Sequence, residues 1–309
     1  MSVADIYEKR ATFSFEVFPP KTDVGMEKLC GKDGVLDKLY TLQPDYIFCT
    51  YGAGGTNVGK NLEVLDKIQK DGKTIPVTHF TCIGNTKEDI KEKLQTYLEH
   101  GINHMLALRG DLPFGWTGTN GDLHYATELV KFVRKEFGDK FTIAVAGSPE
   151  GHIQCRSLEA DIAFLKQKQD NGADYIMTQL CWDMDQFRWW MDAIRAAGIW
   201  MPVDVGIMPV LDAAATINMA LSRNGCVMPR ALAEIISKHW IFPNPFEKEP
   251  FDAAAEQKKK EFKEAGIEYT IKQIDEYRAC GIDGIHLYAL NKYDDVARIV
   301  KESGIVDLI

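Results

Sequence analysis

Thr12-Phe13-Ser14-Phe15-Glu16-Val17-Phe18-Pro19-Pro20-Lys21-Thr22 opens like the first strand of an α/β protein and then departs from the commonest way of continuing one. A doubly wound sheet that holds a dinucleotide follows its first strand with Gly-x-Gly-x-x-Gly; here Pro19-Pro20-Lys21-Thr22 stands instead. Alternation puts Phe13, Phe15 and Val17 on one face and Ser14, Glu16 and Phe18 on the other, and the two prolines stop the strand right after the acid. Glu16 is thus a single carboxylate in an apolar strand, near its C-terminal end, where packing alone gives it no reason to be. The plain alternative is an edge-strand glutamate facing water.

From this strand outward, short apolar runs alternate with longer amphipathic segments along the whole chain. Eight runs read as strands: 12–18, 46–51, 77–82, 104–109, 142–147, 175–180, 203–208 and 285–290. Helical patterns lie between them at 61–69, 87–99, 125–137, 157–170 and 293–302. Thr86 before Lys87-Glu88-Asp89 and Ser157 before Leu158-Glu159-Ala160-Asp161 supply capping chemistry, and Gly101, Gly172 and Gly198 sit where helix C-caps belong. Eight such units in 309 residues match an α/β fold of the (β/α)8 TIM barrel type better than a doubly wound sheet. The whole chain, 1–309, is expected to form one catalytic domain. The stretch from Gly225 to Gly281 exceeds one βα unit, so an insertion at about 241–264 is expected before the last strand. Within it, Lys258-Lys259-Lys260-Glu261 reads as the solvated face of a helix.

Composition narrows the function classes. A hydrophobic share of 45% without polar low-complexity tracts argues for a globular protein, and a net charge of −9 disfavours a general nucleic-acid binder. The seven cysteines are scattered without ligand-like spacing and read as reduced thiols of a cytoplasmic protein. No signal-peptide pattern opens the chain, and no apolar run reaches the ~18 residues of a membrane span, so membrane insertion is not expected.

In a barrel the C-terminal strand ends share one mouth. Those ends carry Glu16, Thr50, His79 with Thr81, Arg109-Gly110-Asp111, Ser148-Pro149-Glu150, Gln179 and Asn291, a polar excess that a barrel filled for stability alone would not show. Arg109-Gly110-Asp111 brings a cation, a backbone open to close approach and an anion together as strand four ends; a local ion pair fixing a loop is the plainer reading. Two carboxylates, Glu16 and Asp111, are compatible with paired acid chemistry, glycosidase-like chemistry included. His79 alone reads as a core histidine bonded to a backbone carbonyl. His100 and His104 are four apart, but the helix ends between them, so no zinc pair and no metal site is expected. Thr50-Tyr51-Gly52-Ala53-Gly54-Gly55-Thr56 lacks the Gly-Lys-Ser/Thr ending of a triphosphate loop. Trp182, Trp189 and Trp190 read as helix packing.

Taken together, these residues resemble the methylenetetrahydrofolate reductase family. The resemblance rests on Phe13 to Pro20, Thr50-Tyr51-Gly52-Ala53, His79-Phe80-Thr81-Cys82, Leu106 to Pro113, Thr178-Gln179, Gly206-Ile207-Met208-Pro209-Val210 and Leu287-Tyr288-Ala289-Leu290-Asn291, one match per strand end. It implies FAD across the mouth and a folate stacked on it, with reduction of 5,10-methylenetetrahydrofolate to 5-methyltetrahydrofolate. Glu16 matches the general acid that protonates the departing N10, after which the iminium carbon takes hydride from reduced flavin N5. Asp111 matches a carboxylate near pterin and flavin, and Gln179 a folate-contacting amide. For the cofactor, the pattern carries over to Thr50, His79, Leu108, Arg109, Gly110, Ala146, His152, Asp161 and Lys168. As a proton donor Glu16 is expected to have a pKa raised by its apolar neighbours.

This chain departs from the family pattern at Ser148, where many bacterial members have a flavin-packing tyrosine, and at Asp212-Ala213, where an aromatic often stacks on nicotinamide or folate. The electron donor is therefore open between NAD(P)H and a partner subunit, and an oligomer is expected. A pterin-binding methyltransferase barrel and a non-catalytic folate-binding subunit are the alternative functions. With no long C-terminal domain in the sequence, adenosylmethionine control is not expected.

Overall fold

All eight expected strands form, and each pairs in parallel with its sequence neighbour until the last meets the first: β1 (Thr12–Val17), β2 (Tyr46–Cys49), β3 (Ile75–Thr81), β4 (His104–Leu108), β5 (Thr142–Gly147), β6 (Tyr175–Thr178), β7 (Val203–Ile207) and β8 (Gly284–Tyr288) close into one barrel. The computed structural model describes residues 3–51, 58–113, 115–222, 225–239 and 252–305. Seven strands stop one or two residues before the expected end. Tyr51 and Cys82 show why: both are fully buried but lie past the last paired residue, so the apolar run outlasts the hydrogen-bonded ladder.

Helices α1 (Val3–Tyr7), α2 (Asp23–Cys30), α3 (Val35–Tyr40), α4 (Val58–Asp71), α5 (Lys87–Glu99), α6 (Ala126–Phe137), α7 (Leu158–Asp170) and α8 (Met184–Ala196) are placed along the first six βα units. Between β7 and β8 come α9 (Ala213–Ala220), α10 (Arg230–His239) and the 27-residue α11 (Asp252–Arg278), and α12 (Asp294–Glu302) follows β8. Of the segment expected as an insertion, 241–251 lies outside the described residues and 252–264 is the first half of α11. Local chemistry sets the helix starts. Thr86 and Asp89 form a reciprocal capping box on α5, the Ser157 hydroxyl accepts from Ala160 N–H, and Gly101, Gly172 and Gly198 take the positive φ of C-terminal turns.

Alternation along the strands divides the core in two. Phe13, Phe15 and Val17 pack outward with Ile47, Phe80, Ile143 and Leu287 against the helices. Tyr46, Phe48, Val77, Leu106, Ala144, Tyr175 and Met177 fill the barrel, and Val3 of α1 joins them from the N-terminal end. That end is closed. Val3 N–H donates to His104 Nε2 at 3.2 Å, and the Thr12 hydroxyl reaches both oxygens of the fully buried Asp204 at 3.0 and 3.1 Å. Gly284, on the neighbouring strand, has no room for a side chain: a Cβ there would lie 1.9 Å from Asp204 Oδ1.

A third apolar cluster lies over one side of the opposite end. Leu180, Trp182, Met208 and Val210 follow β6 and β7 and meet Leu232 and Ile236 of α10 and Phe262 of α11. Trp182 and Trp190 are buried as expected of packing residues, whereas Trp189 is exposed.

Candidate functional site

Register brings the inward residues of the first and last strands together. Ser14 pairs with His286 and Glu16 with Tyr288, while Glu16 on its other side pairs with Phe48. The Glu16 carboxylate is therefore inside the barrel at its mouth end, with its side chain 13% exposed, and the edge-strand alternative does not hold. Two imidazoles flank it: His79 Nε2 stands 3.3 Å from Oε2 and His286 Nε2 stands 3.8 Å from it. The His286 ring is fixed from behind by Ser14 Oγ, 2.8 Å from Nδ1, and packs edge-on to Phe48.

This setting reverses the expectation of a raised Glu16. Burial does push the carboxyl up, and it is the largest single influence, but the imidazoles of His286 and His79 together outweigh it and hold the group down at about 2. Hydrogen bonding from the two imidazoles contributes most of that lowering, and their charge adds to it. Apolar neighbours alone were the wrong guide, because His286 reads from sequence as a mid-strand residue and its contact with Glu16 depends on barrel closure. Burial, in turn, keeps His286 below the usual histidine range and so favours its neutral form.

Around the mouth from β2 to β5 stand the residues expected to hold a cofactor. Thr50 follows β2 and is positioned by Asn61, a fully buried amide on α4 that donates to the carbonyls of Cys49 and Thr50 at 2.9 and 3.0 Å and accepts from Thr78 and Tyr97. Among the described residues Thr81 Oγ1 on β3 is buried without a hydrogen-bond partner and His79 Nε2 faces only the Glu16 carboxylate, so Nε2 of His79 is not satisfied by a backbone carbonyl as its sequence context suggested. Leu108 ends β4 and Arg109 leads into Gly110, whose φ of +93° and the 2.5 Å approach of a Cβ there to the Ile83 side chain admit no side chain. Arg109 Nε turns back on the Gly110 carbonyl; among the described residues no Arg109–Asp111 ion pair forms, and Asp111 is exposed at the rim.

On the β5 side, Lys168 of α7 donates to the Ala146 carbonyl at 2.7 Å, and burial draws its amine down to about 8. His152 is lowered chiefly by burial and then by the nearby Arg109, and Asp161 is raised by burial against the pull of Lys168 and His152. Arg109, His152, Asp161 and Lys168 thus share one electrostatic neighbourhood although they come from two different strand-end loops and a helix. Gln179, after β6, donates its N–H to the Gly147 carbonyl at 2.7 Å. Ser148 is half-buried beside it, and Asp212 is the N-cap of α9, its carboxylate accepting from Ala215 N–H. Gly52 to Thr56 of the glycine-rich stretch lie outside the described residues.

The structure therefore brings Glu16, Thr50, His79, Leu108, Arg109, Gly110, Ala146, His152, Asp161, Lys168 and Gln179 to one end of the barrel, with Asp111 at its edge. Sequence reasoning missed His286 and Tyr288. The available signal was the one that singled out Glu16: a lone polar residue in the apolar run Ile285-His286-Leu287.

Buried polar atoms at the C-terminal strand ends, with Arg109 and the Lys168 amine of α7 nearby, make the mouth of this (β/α)8 barrel its candidate ligand site. Residues 2–304 match the family model described as methylenetetrahydrofolate reductase, and the chain belongs to that family. It is 31% identical over 304 residues to methylenetetrahydrofolate reductase 1 of Schizosaccharomyces pombe, covering 97% of this chain and 47% of the yeast protein. It is 33% identical over 310 residues to methylenetetrahydrofolate reductase (NADH) 1 of Arabidopsis thaliana, covering 96% and 49%. The chain spans about half the length of these two relatives. With 5,10-methylenetetrahydrofolate reductase of Pectobacterium carotovorum it shares 37% identity over 209 residues, 68% of this chain and 67% of that one. Among solved structures, an uncharacterized protein from Clostridium thermocellum that binds two copies of 5-methyl-5,6,7,8-tetrahydrofolic acid has the same fold, with TM-score 0.62, 13% identity and 98% of each chain covered.

Proposed function

We propose that this chain reduces 5,10-methylenetetrahydrofolate to 5-methyltetrahydrofolate, reversibly, with FAD at the barrel mouth and Glu16 as the proton donor. The observation that carries the reading is Glu16 itself, a buried carboxylate between two imidazoles at the mouth of a barrel of this family. The mouth residues fit a flavin dinucleotide. Lys168 and Arg109 suit its diphosphate, Asp161 suits ribose hydroxyls, and Thr81 Oγ1, buried without a hydrogen-bond partner among the described residues, is a polar atom that a ligand would satisfy. Bound there, the flavin supplies hydride to the substrate carbon.

The protein's own groups manage the proton. In the free chain the two imidazoles keep Glu16 ionised. A ligand that engages His79 and excludes water removes part of that hold and strengthens the desolvation that already pushes the carboxyl up, so that Glu16 takes up a proton as the site fills. Gln179 orients the folate from the β6 side, and Asp111 at the rim favours a cationic iminium. The electron donor is NAD(P)H or a partner subunit; Ser148 and Ala213 provide no aromatic surface for nicotinamide. A cytoplasmic location accords with seven free thiols among the described residues.

An anaerobic titration of the purified protein with NADH, NADPH and a low-potential donor, following flavin bleaching and then reoxidation by methylenetetrahydrofolate, tests cofactor, donor and substrate together. Protein that purifies without flavin and binds none on addition of FAD would overturn the proposal.

A further inference from the structure

The mouth has two walls, one made by the loops after β2 to β5 and one by the chain after β6 and β7, and a single carboxylate joins them. Glu150, three residues past β5, accepts the backbone N–H of Val227 through Oε2 at 2.7 Å across 77 residues of sequence. Its Oε1 is buried with no aligned partner and stands within reach of the Cys181 thiol, which also points to the Asp183 carbonyl at 3.3 Å. Three loops therefore meet at this side chain.

We propose that Glu150 is a latch, a positioning residue that fixes the backbone of residues 225–228 against the loop after β5 and so sets how the wall after β6 and β7 stands against the cofactor side. Other contacts hold Val227 only loosely. Its own side chain is 54% exposed and packs nothing into the core. Its neighbours Cys226 and Met228 pack on the cluster of Met208, Val210 and Leu232, which seats the side chains on either side of Val227 but gives its backbone N–H no partner. Gly225 N–H bonds the Ser222 carbonyl, and a Cβ at Gly225 would come 2.1 Å from the Ala220 carbonyl oxygen. The bond to a carboxylate is then the contact that fixes this backbone, and such charge-assisted bonds are about twice as strong as neutral ones.

The other end of the latch is rigid. Gln186 of α8 donates to the Pro149 carbonyl at 2.7 Å, α8 itself is capped by Asp183, and Tyr277 and Gln273 of α11 hold the Cys181 carbonyl. Glu150 shares its loop with Ser148 and His152, so a shift of the latch moves the substrate wall relative to the cofactor residues. That functional consequence rests on the folate reductase reading; the latch does not.

Hydrogen exchange over residues 225–228 of the flavin-loaded full chain tests the latch without substrate. Glu150→Ala speeds exchange there by about tenfold or more, as loss of a hydrogen bond to a charged group does, while Glu150→Gln, which keeps an accepting oxygen, stays near wild type. With methylenetetrahydrofolate, Glu150→Ala raises KM more than it lowers kcat and leaves the rate of flavin reduction by its donor unchanged. Val227→Pro deletes the donor and leaves the carboxylate, so it gives the same KM effect if Glu150→Ala fails to fold, and the double variant is no worse than either single one. Unchanged exchange in Glu150→Ala, or equal acceleration in Glu150→Gln, overturns the latch. If the variants show this exchange pattern and the wild type does not turn over methylenetetrahydrofolate, the folate reading falls and the latch stands.

Discussion

Two acids lie inside the same barrel, Asp204 at its closed end and Glu16 at its mouth, and their pKa values move in opposite directions. Burial pushes both up. At the closed end the partners are hydroxyls of Tyr7 and Thr12, with Asp283 and Asp45 adding negative charge, and Asp204 rises to about 8. At the mouth the partners are two imidazoles, and Glu16 falls to about 2. Depth in the fold therefore does not set the state of a carboxyl; the kind of partner does. The closed end keeps an acid neutral as filler, whereas the mouth keeps one charged and accessible to a ligand.

Breaking the mouth side has the largest effect. Glu16→Gln keeps the shape and loses the transferable proton, and we expect ~10²- to 10⁴-fold slower reduction of methylenetetrahydrofolate with flavin reduction intact, read by stopped flow. Full folate turnover in that variant would refute the role of Glu16.

Asp204→Asn tests the closed side. A folded value of about 8, above the ordinary 3.8, means that the stability linked to this proton is complete below about 3.8 and is lost as pH rises toward and through 8. The wild type should lose up to about 1.4 kcal/mol per pH unit relative to the variant across that window. Urea unfolding at pH 5 and pH 8 measures the difference; parallel curves would show that Asp204 is ionised in the fold. For Glu16 the sign is opposite: its contribution is present above the ordinary 4.5 and vanishes as pH falls through about 2.

His286→Phe sharpens the comparison by making the mouth resemble the closed end. One imidazole is replaced by an apolar ring, Glu16 moves up, and the limb that reports it in the pH dependence of folate reduction shifts upward with it. A profile superimposable on wild type would mean that His79 alone governs the acid. The smallest effect belongs to a control remote from both acids: Thr86→Ala removes the capping box of α5, costs about 1 kcal/mol in thermal unfolding and moves neither titration.

The strand sequence shows both acids equally well, Phe15-Glu16-Val17 and Val203-Asp204-Val205, and it distinguishes them only by position. Glu16 is the fifth residue of β1 and Asp204 the second of β7, so one faces the mouth and the other the closed end. The fold was legible because alternating apolar runs and capping residues are local signals. His79 and Arg109 were legible as polar residues at strand ends, whereas Lys168, on helix α7, was singled out only through the family resemblance. His286 and the bond from Glu150 to Val227 were not legible, because each acts across a sequence separation that no local pattern encodes. The direction of the Glu16 shift failed for the same reason.

The seam of the barrel has a temporal consequence. Beyond the last paired residues of β1 and β8, Asn291 continues the closure with its side chain, accepting Phe18 N–H and donating to the Phe18 carbonyl, both at 2.9 Å. This clasp and the His286 imidazole reach strand one from about 270 residues away. On a ribosome that adds roughly 5–20 residues per second, the acid is made near the start and waits tens of seconds for its partner. Until the final strand inserts, Glu16 belongs to an open sheet edge, and its chemistry begins only when the last part of the barrel is made.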